Sequence, residues 1–174
     1  MTDYIVIGDR VALDVGFHAV RTRLRILAEG GMLLRACETA YGEGTTALLD
    51  LAGSAAGPTR LADVCLEDLS ETDECAHITI RWEAIAADGK LFTALLADLM
   101  LIPAGEQLTA LCLAGAYRPP PERAGASLDH AIVRCCATAI TGSLLDSVAC
   151  ELVHPAGTGR SHRGRYQSYR YESW

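Results

Sequence analysis

The side chains of this 174-residue sequence that could do chemistry are few, and most stand alone. Tyr117 and Arg118 precede three consecutive prolines in the segment "GAYRPPPERAGASLDHA" (115–131). A phenol at the end of a strand can present its hydroxyl to a cavity, and a guanidinium can hold a carboxylate by two contacts. A tyrosine bonded to backbone and a solvated arginine would explain the same two residues, so the pair indicates a candidate site without defining its chemistry.

Histidine and cysteine, the residues that bind transition metals, do not cluster. His18, His77 and His130 have no other histidine or cysteine at the spacing of a zinc site. The seven cysteines are an odd number, form no CxxC pair, and several fall in apolar stretches, where a free thiol behaves as a small hydrophobic group. These patterns predict reduced thiols in a cytoplasmic protein, with no metal and no cofactor.

Motifs of the common catalytic classes do not occur in the sequence. It contains no HExxH, GxSxG, P-loop or dinucleotide-binding fingerprint, so hydrolase, NTPase and dehydrogenase activities lose their main support. The acidic run "EDLSETDE" (67–74) lacks the glycine that a calcium-binding loop needs at its turn. We interpret it as a solvated loop between strands.

Charge is distributed unevenly along the chain. The whole sequence carries −7, but residues 154–174 contain four arginines and one glutamate, so residues 1–153 carry −10. Such an acidic body argues against nucleic-acid binding. The basic, aromatic-containing segment 154–174 has no apolar period, and we expect a flexible tail. Neither a secretory signal nor a run of eighteen uncharged apolar residues is present, so no membrane insertion is expected.

Local periodicity predicts a strand, two helices, five further strands and one long helix. Residues 4–15 alternate like a strand, whereas residues 17–29 follow helical spacing up to Gly30 and Gly31. A second, shorter helix is expected to end at Gly42 and Gly44. Asp88-Gly89 is the clearest hairpin signal. The later elements are the second helix at 32–41, strands at 45–53, 60–69, 77–86, 90–102 and 107–117, and a helix at 127–152 that Ser127 would cap.

Strands joined by such short turns should be antiparallel, and an antiparallel sheet needs its apolar face covered. The terminal helix is the one predicted element long enough to cover it. The sequence therefore predicts an α+β protein: a curved antiparallel sheet of six to seven strands around a long C-terminal helix, with two short helices after the first strand. Residues 1–153 would form this single domain.

Several phrases resemble the SRPBCC superfamily, also called START-like or polyketide cyclase/lipid-transport proteins. They are "RWEA" (81–84), "GKLF" with "ADLMLIP" (89–103), and "LAGAYRPP" running into "LDHAIV" (113–133). The chain is most similar to an uncharacterised bacterial subgroup whose sheet ends in a Tyr-Arg-Pro-Pro segment. The resemblance spans residues 4–152 and implies a helix-grip fold with a hydrophobic cavity between sheet and terminal helix. Relatives hold lipids, sterols or polyketides there, and a few are aromatase/cyclases.

Strand alternation predicts which side chains could line such a cavity. One face of the strand through Trp82 carries apolar residues, and Asp98 lies opposite the apolar set of its own strand. The strand that ends at Tyr117 is apolar on both faces, so alternation alone does not show which face points inward. The resemblance to the family implies that the face with Tyr117 does. The predicted ligand-binding residues are Ile80, Trp82, Leu99, Leu111, Leu113, Tyr117, Leu128, Ile132, Cys136 and Ile140.

Three functions remain open at this level. The first is a carrier or sensor of a small hydrophobic molecule of lipid, sterol or polyketide type. The second is a cyclase or dehydratase that uses Tyr117, Arg118 or another rim group, although a protein without enzymatic activity is the expectation we favour. In the third, the same apolar residues close into a core, and the domain is structural or forms interactions as a monomer or homodimer.

Overall fold

The computed structural model describes residues 4–52, 60–119 and 129–155. Within these ranges the chain folds into six strands and three helices. In chain order they are β1 (Ile5–Leu13), α1 (Phe17–Glu29), α2 (Met32–Ala52), β2 (Arg60–Leu66), β3 (Ser70–Glu71), β4 (Ala76–Ile85), β5 (Leu91–Gly105), β6 (Leu108–Tyr117) and α3 (His130–Val153). Apart from its first two residues, the predicted tail at 154–174 lies outside the described residues.

The six strands form one antiparallel sheet in the order β1-β6-β5-β4-β2, and the short β3 pairs with β4. This confirms the predicted α+β class and the number of strands. The hairpin at Asp88-Gly89 is also confirmed: Gly89 has a φ of 82°, which favours glycine, and the Asp88 carboxylate accepts a hydrogen bond from the Lys90 backbone. Since β1 and β6 are neighbours, the chain returns to its starting strand before it enters α3.

The predicted strand at 45–53 is wrong, because residues 45–52 continue α2. This helix has 21 residues, so it is neither short nor ended by Gly42 and Gly44. Glycine inside a helix costs about 1 kcal/mol relative to alanine, a cost that packing can outweigh. Gly44 is buried against Ile140 of α3, and α2 and α3 pack side by side along the sheet.

Helix α3 starts two residues later than its predicted cap implies. Asp129 is the N-cap, since its carboxylate accepts a 2.8 Å hydrogen bond from the backbone N–H of Ala131. Ser127, the predicted cap, lies outside the described residues. The helix is apolar enough to cross a membrane by length and composition, with a mean hydropathy of 1.4, but 56% of this stretch is buried inside the protein. This burial is what the main core helix of a folded domain requires.

One irregularity interrupts the pairing of β4 with β5. Trp82 pairs with Leu95, whereas the next residue, Glu83, pairs with Thr93, so Ala94 is an extra residue on β5. Such a β-bulge bends the strand and increases its twist. The bulge lies beside Trp82, where the sheet curves around the helices.

The two glycines of α2 provide a matched test of the α2–α3 packing. A methyl group at Gly42 meets no atom within 4 Å, so Gly42→Ala should raise the free energy of unfolding by about 0.5–1 kcal/mol through helix propensity. At Gly44 the added carbon would fall 2.6 Å from Cδ1 of Ile140 and closer still to Cγ1, so Gly44→Ala should lower stability by about 1–3 kcal/mol. Urea denaturation followed by circular dichroism measures both, and equal effects at the two positions would contradict the packing described.

Candidate functional site

The alternation predicted for the central strands is confirmed by side-chain exposure. On β4, Ile78, Ile80 and Trp82 are buried and His77 and Arg81 are exposed. On β5 the inward-facing Leu95, Ala97, Leu99 and Leu101 are buried, while Asp98 is exposed. On β6, Leu111, Leu113 and Tyr117 are buried as well. The concave face of the sheet is therefore apolar from β4 to β6.

Nine of the ten predicted ligand-binding residues fall within the described ranges, and Leu128 does not. Seven belong to the main core cluster: Ile80, Trp82, Leu99, Leu111, Leu113, Tyr117 and Ile140. Cys136 and the half-buried Ile132 pack instead with Leu48 and two alanines near the end of α2. The predicted set is thus divided between the sheet and the α2–α3 seam, and its role in ligand binding stays a prediction.

Trp82 lies on the inward face of β4, between β5 and the edge strand β2. Its side chain has no exposed surface, and its ring meets the Tyr41 ring edge to face, with centroids 6.2 Å apart. The indole Nε1–H is buried and has no hydrogen-bond partner in the described structure. A buried donor without a partner is rare in proteins and costs about 1–3 kcal/mol.

Cys37 of α2 lies close to this N–H. Burial raises the pKa of the Cys37 thiol to about 12, and the indole N–H of Trp82 opposes that rise in part. A thiol sulfur is only a weak acceptor, and the arrangement does not amount to a hydrogen bond. This buried donor therefore lacks a good acceptor.

Tyr117 stands at the end of β6, where its ring is buried. Burial raises the pKa of its phenol, and Tyr41 and Cys136 raise it further. The phenol is consequently a hydrogen-bond donor at neutral pH and a poor base. Arg118 is engaged elsewhere: its guanidinium lies 5.9 Å from the centre of the Phe92 ring, and its backbone N–H donates to the carbonyl of Ala94.

Tyr41 and Cys37 are the residues that the sequence did not reveal. Both lie on the buried stripe of α2, together with Leu33, Gly44 and Leu48. Leu33, Cys37 and Tyr41 follow one another at intervals of four residues and share one face even of the shorter helix predicted at 32–41. That spacing was the signal that could have revealed Cys37 and Tyr41, and the longer helix extends the stripe to Gly44 and Leu48.

Two open grooves on the surface lie apart from Trp82 and Tyr117. One, of about 380 Å³, separates α1 from the β2–β3 segment, where Arg25 forms an ion pair of 2.5 Å with Glu71. The other, of about 500 Å³, runs between α2 and α3 and is bordered by Arg35, Asp146 and Glu151. The described residues contain no group of three metal-ligating side chains.

The chain has a helix-grip fold. This assignment follows from its own element order, the antiparallel register and the position of α3. No family model and no curated protein matches the sequence.

Several solved structures resemble the chain at low identity. They include the Zhui aromatase/cyclase from Streptomyces sp. R1128, at 10% identity over 89% of this chain and 99% of that one, with a TM-score of 0.36. A truncated norcoclaurine synthase from Thalictrum flavum matches at 10% identity over 88% of this chain and 96% of that one, with a TM-score of 0.41. A conserved protein from Geobacillus kaustophilus matches at 10% identity over 85% of this chain and 95% of that one, with a TM-score of 0.45.

The raised pKa values of Cys37 and Tyr117 predict a loss of stability in alkali. Below its ordinary pKa of 9.0, the Cys37 thiol is protonated in the folded and in the unfolded chain, so its contribution to the free energy of unfolding is fully present. Between pH 9.0 and about 12 the unfolded chain loses this proton and the folded chain keeps it, so stability falls by up to about 1.4 kcal/mol per pH unit. Urea denaturation between pH 8 and 11 should show a smaller fall for Cys37→Ala than for the parent, and parallel curves would contradict this origin.

Proposed function

We propose that this chain binds a small hydrophobic molecule of lipid, sterol or polyketide type between the concave face of the sheet and helices α2 and α3, as a carrier or sensor. The observation that carries the proposal is the buried, unpartnered indole N–H of Trp82. It stands in an apolar environment, where the Tyr41 ring contacts the Trp82 ring and Tyr117 lies close to Tyr41. Binding sites for apolar ligands combine such surroundings with a few polar groups that orient the ligand.

The ligand best suited to this environment carries a hydrogen-bond acceptor. A carbonyl, hydroxyl or ether oxygen placed at Nε1 of Trp82 would satisfy the donor and recover the cost of its burial. The phenol of Tyr117, which burial keeps protonated, supplies a second donor. An aromatic ketone or a similar oxygenated ring system therefore fits better than an unsubstituted alkyl chain.

Access to Trp82 requires the two helices to separate, because its ring has no exposed surface. The α2–α3 seam is tight at Gly44 and Ile140. Toward the end of α2 it is looser, since Ala47, Ala52 and Ile132 are only half-buried around Leu48. A ligand has two candidate entrances to the seam: this end, where α3 begins, and the groove of about 500 Å³ between the start of α2 and the end of α3.

The enzymatic alternative needs a base as well as a donor. General acid–base catalysis requires a group that accepts a proton near the working pH. Tyr117 has a raised pKa, Cys37 has a raised pKa, and Arg118 is engaged with Phe92. These properties favour a binding protein over a cyclase or dehydratase.

Fluorescence of Trp82 gives a direct test of binding. The chain has two tryptophans, so Trp174→Phe leaves Trp82 as the single reporter. Titration with anthraquinone, cholesterol and palmitate should change its emission for at least one probe, most strongly for anthraquinone. Native mass spectrometry should then show one bound molecule per chain.

Variants of the intact protein identify the site. Trp82→Phe keeps an aromatic ring and removes the N–H, and we expect native mass spectrometry to show about tenfold weaker binding of anthraquinone, the effect of one lost hydrogen bond. Leu91→Ala, at a 58% exposed position of β5, is the control and should bind as the parent does. Absence of binding for all three probes, with unchanged Trp82 emission, would establish the closed core instead.

A further inference from the structure

Two segments of this chain have opposite charge. The run 67–74 holds five carboxylates and no basic residue. Residues 156–174, which we call the arginine-rich segment, hold four arginines and one glutamate. The first half of the acidic run lines the groove of about 380 Å³ between α1 and the β2–β3 segment, so the structure gives these carboxylates a surface that side chains can enter.

This groove, the acidic groove, combines an apolar floor with a charged rim. Leu66 and Leu69 belong to the floor. The rim carries four carboxylates and one guanidinium, which give a net charge of −3: Glu29, Glu67, Asp68, Glu71 and Arg25. Its volume lies at the lower end of the range of ligand-binding clefts. The acidic groove therefore suits a few side chains of an extended chain better than a folded partner.

The carboxylates of the rim retain capacity for further cations. Arginines lie near Glu67 and Glu71, but the Oε1 atom of Glu71 is buried without a hydrogen-bond partner among the described residues. Glu29 and Asp68 are exposed and form no ion pair with any described residue. Glu29 also ends α1, whose last turn has no basic residue, so a cation beside it would interact favourably with the helix dipole as well.

One row of residues on α1 connects the end of α3 with the acidic groove. Residues three apart on a helix are neighbours, offset by about 60° around its axis. Arg23 holds the end of α3, because its Nη1 donates a 2.6 Å hydrogen bond to the carbonyl of Leu152. Glu29 lines the groove, and Ile26 lies between Arg23 and Glu29 with 62% of its surface exposed. A segment that crosses α1 along this row covers Ile26.

We propose that the arginine-rich segment crosses α1 over Ile26 and places Arg163 and Arg165 in the acidic groove of the same chain. The described residues reach Pro155, two positions after the end of α3. A path halfway around α1, from the level of Arg23 to that of Glu29, is roughly 20 Å long. The eight residues from Pro155 to Arg163 span up to roughly 27 Å when extended, so both arginines can reach Glu29 and Asp68.

The tether makes weak ion pairs sufficient for this contact. Exposed ion pairs contribute little one by one. A segment joined to its binding surface by a short linker is present there at an effective concentration on the order of millimolar. An external acidic partner lacks this advantage, and the body of the chain, which carries −10, repels it.

The groove between α2 and α3 lies closer to the end of α3 but matches the segment less well. Its charged residues are Arg35, Asp146 and Glu151, which give a net charge of −1. Arg35 would repel an incoming arginine at this place. The acidic groove therefore offers the better charge complementarity for the arginine-rich segment.

A cross-linker that joins amines to carboxylates without a spacer locates the segment. Lys90 is the only lysine of the chain, so Arg163→Lys adds one amine at the proposed contact. At a protein concentration of roughly 1 μM, far below the effective concentration of the tether, a carbodiimide should link position 163 to Glu29 or Asp68 within one chain. Peptide mass spectrometry identifies the product. Links to the groove between α2 and α3, links between chains, or no link from position 163 would overturn the proposal.

Cleavage by an arginine-specific protease measures how much of the segment is free. Glu29→Gln/Asp68→Asn removes two weak ion pairs, so cleavage within residues 160–165 should be about fivefold faster than in the parent chain. Salt at roughly 0.5 M should remove this difference by screening. Glu38→Gln/Asp50→Asn, which removes two exposed carboxylates from α2, is the control and should be cleaved as the parent is.

Circular dichroism of each variant shows that the fold is retained. Equal cleavage rates in the three chains at low salt would contradict docking in the acidic groove. Fast cleavage of the parent that slows only when vesicles of anionic phospholipid are added would assign the arginine-rich segment to a membrane surface and overturn the proposal.

Discussion

An antiparallel sheet with a continuous apolar face has to be covered along its whole width, and this requirement organises the molecule. The concave face carries Ile80, Trp82, Leu99 and Leu113 with almost no exposed surface. A single helix is about 10 Å wide and covers roughly two strands. Helix α3 lies over β1 and β6, and α2 is long enough to lie beside it and reach toward β2. The length of α2 and the small residues of the α2–α3 seam allow these two helices to lie side by side on the face, while α1 packs against β5 and β6.

Covering the face with helices has an energetic cost at Trp82. The apolar surroundings that stabilise the sheet also surround the indole N–H of Trp82, and the rest of the core must offset the burial of that donor. A phenylalanine at this position would bury a similar ring without an unpartnered donor. The presence of tryptophan is therefore easier to understand in a protein that uses the donor than in one that only packs a core.

The sequence allowed most of the sheet to be predicted, because alternation on β4, β5 and β6 is a local signal that reports directly which side chains face inward. The end of α2 was not predictable in this way. Residues 45–53 are rich in alanine and leucine and fit a strand or a helix. The contact that favours the helix joins Gly44 to Ile140, 96 positions later in the chain. The residues around Trp82 were named from the sequence for the sheet and for α3, whereas Cys37 and Tyr41 of α2 were not, although both lie within the helix predicted at 32–41.

The bulge at Ala94 also decides the direction in which the chain leaves the sheet. Without the extra residue, alternation from Leu95 would point Phe92 toward solvent, but the shift in pairing turns it inward, where it is buried. Phe92 then supports the guanidinium of Arg118, and the carbonyl of Ala94 binds the backbone N–H of the same arginine. Two attachments to one residue hold the chain in place as it leaves β6. The single inserted residue in β5 thus fixes a part of the chain that is distant in sequence. Removing it would free Arg118 from both contacts at the end of β6.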